Sequence, residues 1–297
     1  MPLPMSLSLA ALLLASSPAK PAIVAADGVL CDLTRTLVRD QASVLCLIPA
    51  GADPHTLALR PADRRNLNKA KLILINGYNL TPALNNASGG GPVVRVAEKA
   101  VPNSANKDPH VWHDPANTTA MVSTVASQLE PLMPAGGGRR IQQRRAAMTS
   151  VLQALGTWTT QQIQSVPEKQ RVLVTGHRAF SAFAKRYGIR ELPVIDDFTT
   201  GGRLRPASLS AISKAIQSSG TRAIFPESLP ASKTMRRISR ASGIPIAKQA
   251  LVADGLAPGK SLIQTATANV CTFVDAQGGR CDTKAASQLQ QRWAAIF

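Results

Sequence analysis

The chain has 297 residues, of which 44% are hydrophobic and 17% are charged, and its formal net charge at pH 7 is +17. This composition excludes disorder and provides enough residues for two domains, while no apolar run approaches the roughly 20 residues of a bilayer-spanning helix. Lysine and arginine are dispersed and only 4% of residues are aromatic, so the charge indicates surface character rather than nucleic-acid recognition.

The N-terminal segment is typical of a secretory signal. An apolar stretch, Leu7 to Ala15, is followed by small residues and by Pro18 and Ala19. We expect cleavage after Ala19, which removes residues 1–19 and places the mature protein in the periplasm or an equivalent extracytoplasmic space. No lysine or arginine precedes the apolar stretch, so an uncleaved or wrongly assigned start is the alternative. No cysteine follows a lipobox-like run, so a lipid anchor is not indicated.

Short apolar runs alternate with segments of helical spacing through the first half of the chain. Strands are predicted at Ala22–Ala26, Val44–Ile48, Leu72–Ile75 and Val93–Val96. Helices are predicted at Val29–Arg39, Pro61–Ala70 and Pro115–Leu132. This alternation is typical of βαβ units around a mostly parallel sheet.

A long helix is predicted over residues 139–166, after three glycines and before Pro167. Its apolar positions are spaced to form one buried stripe. The stripe comprises Ile141, Ala147, Met148, Val151, Leu152, Leu155, Trp158 and Ile163.

The alternation resumes after Pro167. Strands are predicted at Val172–Thr175, Leu192–Ile195, Ala223–Phe225 and Pro245–Ala247, and helices at Ala179–Tyr187, Pro206–Ser218 and Ser232–Ser242. The predicted fold is therefore α/β with two lobes, each a mostly parallel sheet flanked by helices. The N-terminal lobe spans residues 20–138, the linking helix residues 139–166, and the C-terminal lobe residues 167–297.

Four histidines occur in the whole chain, and two of them stand in repeated Asp-Pro-His tripeptides, at positions 53–55 and 108–110. Proline fixes its own φ and biases the preceding residue toward extended backbone, so each histidine is held on a stiff loop. One such tripeptide alone is explained by a turn. The repeat favours metal ligands, because neutral imidazole is the commonest side-chain ligand of transition metals.

Side chains able to bind a metal follow predicted strands in both lobes. The candidates, two from each lobe, are His55, His110, His177 and Asp254. Ligands bind beyond the carboxyl ends of strands in open α/β sheets, so these four are expected on the same side. Asp196 and Asp197 also follow a predicted strand and are alternatives for the carboxylate.

Four stretches of the sequence resemble the ligand-bearing segments of one family, in the family's order. The stretches are LIPAGADPHTLALRPADRRNLNKAKLILINGYNL, DPHVWHDPAN, VTGHRAFSAFAKRYGI and IFPESLPASKTMRRISRASGIPIAKQALVADGLA. The family is that of the metal-specific solute-binding proteins of bacterial ATP-binding-cassette importers, the zinc and manganese cluster. The resemblance extends from about Ala22 to Ala276.

The resemblance implies two lobes joined by one long rigid helix, with a metal site in the cleft between them. It assigns the metal ligands to His55, His110, His177 and Asp254, and so prefers Asp254 to the two alternative carboxylates. It further implies a monomeric binding protein, not an enzyme, that captures a divalent metal ion and hands it to a membrane permease.

Zinc is the transported ion that this donor set favours. Three imidazole nitrogens and one carboxylate suit tetrahedral Zn²⁺, whereas Mn²⁺ prefers more oxygen ligands. Manganese members of the family commonly have glutamate where His177 stands. The segment before Asp108 lacks the histidine-rich insertion of many zinc-specific members, so Mn²⁺ remains the alternative.

Several other residues near the predicted ligands have two interpretations. His113 stands where the family more often has an apolar residue. It is an auxiliary ligand or a surface residue, and the surface interpretation is favoured. His113→Ala is therefore expected to have little effect on zinc binding. Acidic residues able to orient a ligand imidazole, or else to cap turns and helices, are Asp53, Asp108, Asp114 and Glu227.

The four cysteines suit an exported protein. Cys271 and Cys281 flank a Gly-Gly turn and can close a small loop, and Cys31 and Cys46 can tie a helix to the next strand. Four cysteines permit three pairings, and sequence does not choose between them. No Cys-x-x-Cys spacing occurs, which disfavours a structural zinc site.

Two other classes of function fit the sequence less well than a transport protein does. A zinc hydrolase is disfavoured, because catalytic zinc keeps three protein ligands and an open position, and the chain has no His-Glu-x-x-His motif. A surface adhesion or structural role, with metal incidental, is supported only by the basic charge.

Overall fold

A computed structural model of the protein describes residues 20–200 and 206–296. The predicted signal segment, residues 1–19, lies outside these ranges. Within them, each helix lacks either the length or the apolar character that a membrane span requires.

Four parallel strands form the first sheet. They are β1 (Ala22–Ala25), β2 (Ser43–Cys46), β3 (Leu72–Ile75) and β4 (Val93–Arg95), in the spatial order β2-β1-β3-β4. All four residues of β3 are buried aliphatic side chains, which is characteristic of a parallel strand covered by helices on both faces. The four predicted strands are confirmed, with ends shifted by one or two residues.

The second sheet contains the parallel strands β5 (Val172–His177) and β6 (Arg190–Ile195). The other two strands predicted for this lobe, 223–225 and 245–247, form only an isolated parallel bridge between Ile224 and Ile246. Predicting them as full strands was wrong, because Pro226 and Pro245 have no N–H to donate to a ladder. The Phe225 N–H still donates to the Val174 carbonyl of β5 over 2.8 Å, which continues the sheet.

Helices cover the faces of both sheets. They are α1 (Gly28–Val38), α2 (Pro61–Lys69), α3 (Val96–Ala100), α4 (Pro115–Leu129), α5 (Gly137–Gln164), α6 (Ser181–Tyr187), α7 (Pro206–Gln217), α8 (Lys233–Ser242), α9 (Leu262–Ala276) and α10 (Thr283–Ala294). The predicted helices are confirmed with small shifts at their ends, whereas α3, α9 and α10 were not predicted. A capping box was the missed signal for α9: Ser261 caps the helix, and Gln264 bonds back to it.

Helix α5 runs for 28 residues and is therefore about 42 Å long. It begins two residues before the predicted start, because Gly136 adopts a positive φ of 77° and turns the chain directly into the helix. A Cβ on Gly137 would lie 2.6 Å from side-chain atoms of Gln41 and Met133, so only glycine is accommodated there. The predicted apolar stripe is buried except for Ala147, which is exposed.

The largest hydrophobic cluster extends through both lobes. It forms where α5 packs against α1 and α4 on one side and against α9 and α10 on the other. Two smaller clusters lie under the outer faces of the two sheets. The largest cluster is thus continuous across the two lobes, and α5 is shared between them.

All four cysteines are paired in the structure. Cys31 of α1 is bonded to Cys46 of β2, and Cys271 of α9 is bonded to Cys281 in the loop after that helix. Together the two bonds make up one of the three possible connectivities, the one that the sequence suggested. Each bond fixes a helix to the segment that follows it.

Replacing both Cys31 and Cys46 with alanine should lower the free energy of unfolding by about 3 kcal/mol. The two residues are 15 apart in sequence, and opening a loop of that length returns conformational freedom to the unfolded chain. Chemical denaturation of the oxidised wild type and the variant measures the difference. A reduced wild-type sample is the control, and equal unfolding midpoints in all three samples would show that the bond does not form.

Candidate metal centre

The four predicted ligands meet at the carboxyl ends of the strands, between the lobes. In the first lobe, His55 lies in a short 3₁₀ turn after β2, and His110 lies just before a second such turn after α3. In the second lobe, His177 is the last residue of β5, and Asp254 lies in the loop after the isolated bridge. One donor atom from each residue lies within 4.8 Å of every other.

The distances from Asp254 to the three histidines are close to those of a four-coordinate site. The Asp254 Oδ1 atom lies 3.1 Å from His55 Nε2, 3.0 Å from His110 Nε2 and 3.4 Å from His177 Nε2. A tetrahedron of ligands bound at zinc distances has edges of about 3.3 Å. The side chains of His110 and His177 are almost completely buried, so the cluster is shielded from bulk water.

Two carboxylates orient ligand imidazoles from behind. The Nδ1 atom of His110 lies 2.9 Å from Asp108 Oδ1, and the Nδ1 atom of His177 lies 2.9 Å from Glu227 Oε2. A proton held on Nδ1 by a carboxylate leaves the lone pair of Nε2 directed into the cluster, where a metal can bind. Asp108 and Glu227 therefore occupy the orienting positions that the sequence suggested for them.

The other two acidic candidates act as caps. Asp53 accepts a hydrogen bond from the His55 N–H over 2.8 Å and one from the Thr200 hydroxyl over 2.6 Å. Asp114 begins α4 and accepts from the Ala116 N–H over 2.8 Å. The Nδ1 atom of His55 is buried without a hydrogen-bond partner among the described residues.

The alternative carboxylates take no part in the cluster. Asp196 is exposed and pairs with the Arg178 guanidinium over 2.5 Å. Asp197 accepts from the Thr199 N–H over 3.1 Å and so caps a turn in the same loop. The carboxylate that faces the three imidazoles is that of Asp254.

The prediction that His113 is a surface residue was wrong. The 3₁₀ turn of residues 111–113 directs the ring into the cleft, where it is half-buried and stacks on Phe180 with a centroid separation of 4.4 Å. Its Nε2 atom lies 2.9 Å from the Ala253 carbonyl oxygen. Burial lowers the pKa of His113 to about 4, so the ring is neutral and Nε2–H donates to that carbonyl.

Charge in the cluster is balanced between one carboxylate and several imidazoles. Burial alone would raise the pKa of Asp254, but hydrogen bonds from His110, His177 and His55 outweigh burial and lower that pKa far below its ordinary value. Burial likewise opposes a proton on His177, yet Asp254 and Glu227 together raise its pKa to about 10. A metal that binds here must displace protons held by the histidines.

A buried group of three imidazoles and one carboxylate between two α/β lobes is the donor arrangement of a metal-binding protein. Residues 23–276 match the family described as zinc-uptake complex component A, periplasmic. The chain belongs to this family of metal-specific binding proteins, which confirms the family identified from the four sequence stretches.

Relatives of this chain are named for different metals. The zinc-binding protein TroA of Treponema pallidum is 29% identical over 224 residues, which cover 72% of this chain and 72% of TroA. The manganese ABC transporter substrate-binding lipoprotein PsaA of Streptococcus pneumoniae is 26% identical over 248 residues, covering 78% of this chain and 79% of PsaA. Both are named as binding proteins, and this chain is a binding protein and not an enzyme.

The solved structure of periplasmic zinc-binding protein TroA from Treponema pallidum superposes on this chain with a TM-score of 0.81 and 27% sequence identity. The superposition covers 88% of this chain and 100% of TroA. The predicted two-lobe α/β fold is thereby confirmed.

The metal-free protein should lose stability as pH rises. The pKa of His177 in the folded protein is about 10, against 6.5 ordinarily, so the folded state holds this proton more tightly than the unfolded chain. The resulting stabilisation is complete below pH 6.5 and is lost as pH rises toward about 10. Thermal unfolding of chelator-treated protein across this range measures the trend.

Glu227→Gln provides the control, because it removes one of the two carboxylates that hold the proton on His177. The pH trend should flatten in this variant. Over the same range zinc affinity should rise with pH in the wild type, since the metal then displaces fewer protons. Metal-free stability that climbs with pH would show that the cluster is not protonated in this way.

Proposed function

We propose that this protein captures a divalent metal ion, with zinc preferred, outside the cytoplasm and delivers it to the membrane permease of an ATP-binding-cassette importer. The observation that carries the proposal is the convergence of His55, His110, His177 and Asp254 from both lobes on one buried point. The ion is cargo and not a resident cofactor. Because its ligands come from two lobes, small shifts of the ligand loops relative to each other can release it.

The preference for zinc is supported by the chemistry of the donors. Three imidazole nitrogens and one carboxylate form a borderline donor set, and their spacing suits four-coordinate Zn²⁺. Manganese is the alternative, because the relatives are named for both metals. Nitrogen-rich sites bind Mn²⁺ more weakly than Zn²⁺, as the Irving–Williams order describes.

Delivery to a permease requires an exported protein. We propose that residues 1–19 are a signal peptide and that the mature chain acts as a monomer. The two disulfides support an oxidising compartment outside the cytoplasm. The functional division proposed from the sequence is a lobe of residues 20–138, a linking helix of residues 139–166 and a lobe of residues 167–297.

The shared core around α5 supports a small movement on metal binding. A helix that packs against both lobes resists the wide hinge closure of proteins whose lobes are joined by flexible strands. Capture and release are therefore proposed to depend on small shifts of the ligand loops.

One equivalent of zinc should bind to the wild type, and His55→Ala, His110→Ala, His177→Ala and Asp254→Asn should each weaken binding by more than about 100-fold. Loss of a direct ligand exceeds the 10- to 100-fold effect that is typical of groups behind the ligands. Isothermal titration calorimetry, with a competing chelator for tight variants, measures the affinities. Asp196→Asn is the matched control and should bind zinc like the wild type. Full zinc affinity in Asp254→Asn would remove it from the ligand set.

Zinc should raise the melting temperature clearly, while the radius of gyration measured by X-ray scattering changes little. An ion that binds only the folded state stabilises it by RT ln(1 + [L]/Kd), roughly 4 kcal/mol at a thousandfold excess over Kd. Manganese at the same free concentration should stabilise less. A larger thermal shift with manganese would overturn the preference for zinc and leave metal transport standing.

A further inference from the structure

The structure contains a short link between the two ligand loops that the metal site itself does not require. His113 is three residues after His110 in one lobe, and its Nε2 atom donates to the carbonyl of Ala253 in the other lobe over 2.9 Å. Ala253 immediately precedes Asp254 in the chain. A ligand of one lobe is thus connected, through one side chain and one hydrogen bond, to the carboxylate ligand of the other.

The loop that carries Asp254 depends on such backbone contacts for its position. Within the described residues, the side chains that pair with this carboxylate are the three ligand histidines themselves. Asn269 of α9 holds the loop inside its own lobe, donating to the Val252 carbonyl over 2.8 Å and accepting from the Val252 N–H over 2.9 Å. His113 holds the next residue from across the cleft.

The surroundings of His113 make its hydrogen bond difficult to replace. The ring stacks on Phe180 and lies beside Trp112, and it forms part of the wall of a mainly apolar cavity of about 40 Å³. Hydrogen bonds are stronger in such low-dielectric surroundings, and a carbonyl that loses its donor there has few other partners. The ring is also tethered close to His110, so a change at position 113 affects both ligand loops.

We infer that His113 is a positioning residue, which holds Asp254 at the distance where one carboxylate oxygen faces all three imidazoles. Asp108 and Glu227 orient imidazoles through their Nδ1 atoms, and His113 acts correspondingly on the carboxylate through the backbone. The link keeps Asp254 close to the three imidazoles and slows release, because the Asp254 loop can shift away from His110 only when this hydrogen bond breaks. The inference rests on the proposed metal site and replaces the expectation that position 113 matters little.

The test compares two substitutions of different chemistry. His113→Leu retains apolar bulk against Phe180 but removes the donor, which avoids the enlarged cavity that alanine would leave. His113→Gln retains an N–H donor at the end of a side chain of similar reach. Zinc affinity and zinc dissociation are measured by chelator competition, and the visible spectrum of the Co²⁺-loaded protein reports the coordination geometry.

His113→Leu should raise the Kd for zinc about tenfold, mainly because zinc dissociates faster. A tenfold effect is the lower end of the range for groups that support a ligand. Its Co²⁺ spectrum should change in position or intensity, and His113→Gln should recover most of both effects. If His113 had only a structural role, His113→Leu would alter the melting temperature of the metal-free protein. Zinc affinity and the Co²⁺ spectrum would then not be lost in the leucine variant and recovered in the glutamine variant.

His113→Leu with the affinity, dissociation rate and Co²⁺ spectrum of the wild type would overturn the inference, as would a glutamine variant as weak as the leucine variant. The wild type and His177→Ala are measured in parallel to separate this outcome from failure of the metal site. Normal zinc binding by the wild type, its loss in His177→Ala and no effect of His113→Leu would refute only the role of His113. A wild type that binds no zinc would refute the proposed function as well.

Discussion

The arrangement of the site depends on a single buried carboxylate oxygen, Asp254 Oδ1, which lies within 3.4 Å of three imidazole nitrogens. A carboxylate away from water is strongly unfavourable unless opposite charge lies beside it. Asp254 raises the pKa values of His110 and His177, and protons on these rings supply that charge in the metal-free protein. A divalent cation can supply it in their place. The exchange of protons for a cation is possible because Asp108 and Glu227 hold the rings of His110 and His177 in one orientation for both states.

The two lobes that supply the residues around Asp254 have the same strand order. The first sheet has the order β2-β1-β3-β4. In the second lobe the corresponding order is β6, β5, the segment at 223–225 and the segment at 245–247. Beyond β5, the Phe225 N–H donates to the Val174 carbonyl, and two backbone hydrogen bonds join the last two segments. Parallel strands present their carboxyl ends at one edge, so two such sheets facing each other bring four loops together. The shared packing of α5 keeps these edges opposed.

The sequence predicted the parts of the molecule that depend on local pattern. The repeated Asp-Pro-His tripeptides indicated His55 and His110, and the strand before His177 indicated the third histidine. Asp254 had alternatives that only the family resemblance separated. His113 was misplaced because the direction of a side chain in a 3₁₀ turn depends on how that turn packs against the opposite lobe. The segments at 223–225 and 245–247, which lie next to prolines, run parallel to each other but form only one bridge. Helix α9 begins with a capping box, a signal that is present in the sequence but was not used to predict the helix. Apart from the α9 cap, the errors involve contacts between distant segments.

The chain order of the site has a consequence for the biosynthesis of the protein. Two of the clustered side chains lie in the first lobe, but the carboxylate comes from residue 254, and its loop is held by α9, which follows it. A nascent or truncated chain that ends before this region contains the histidines without the oxygen that draws them together. Binding at the proposed site therefore requires that the last third of the chain has folded onto the first, so incomplete chains would not compete with complete ones for a scarce ion.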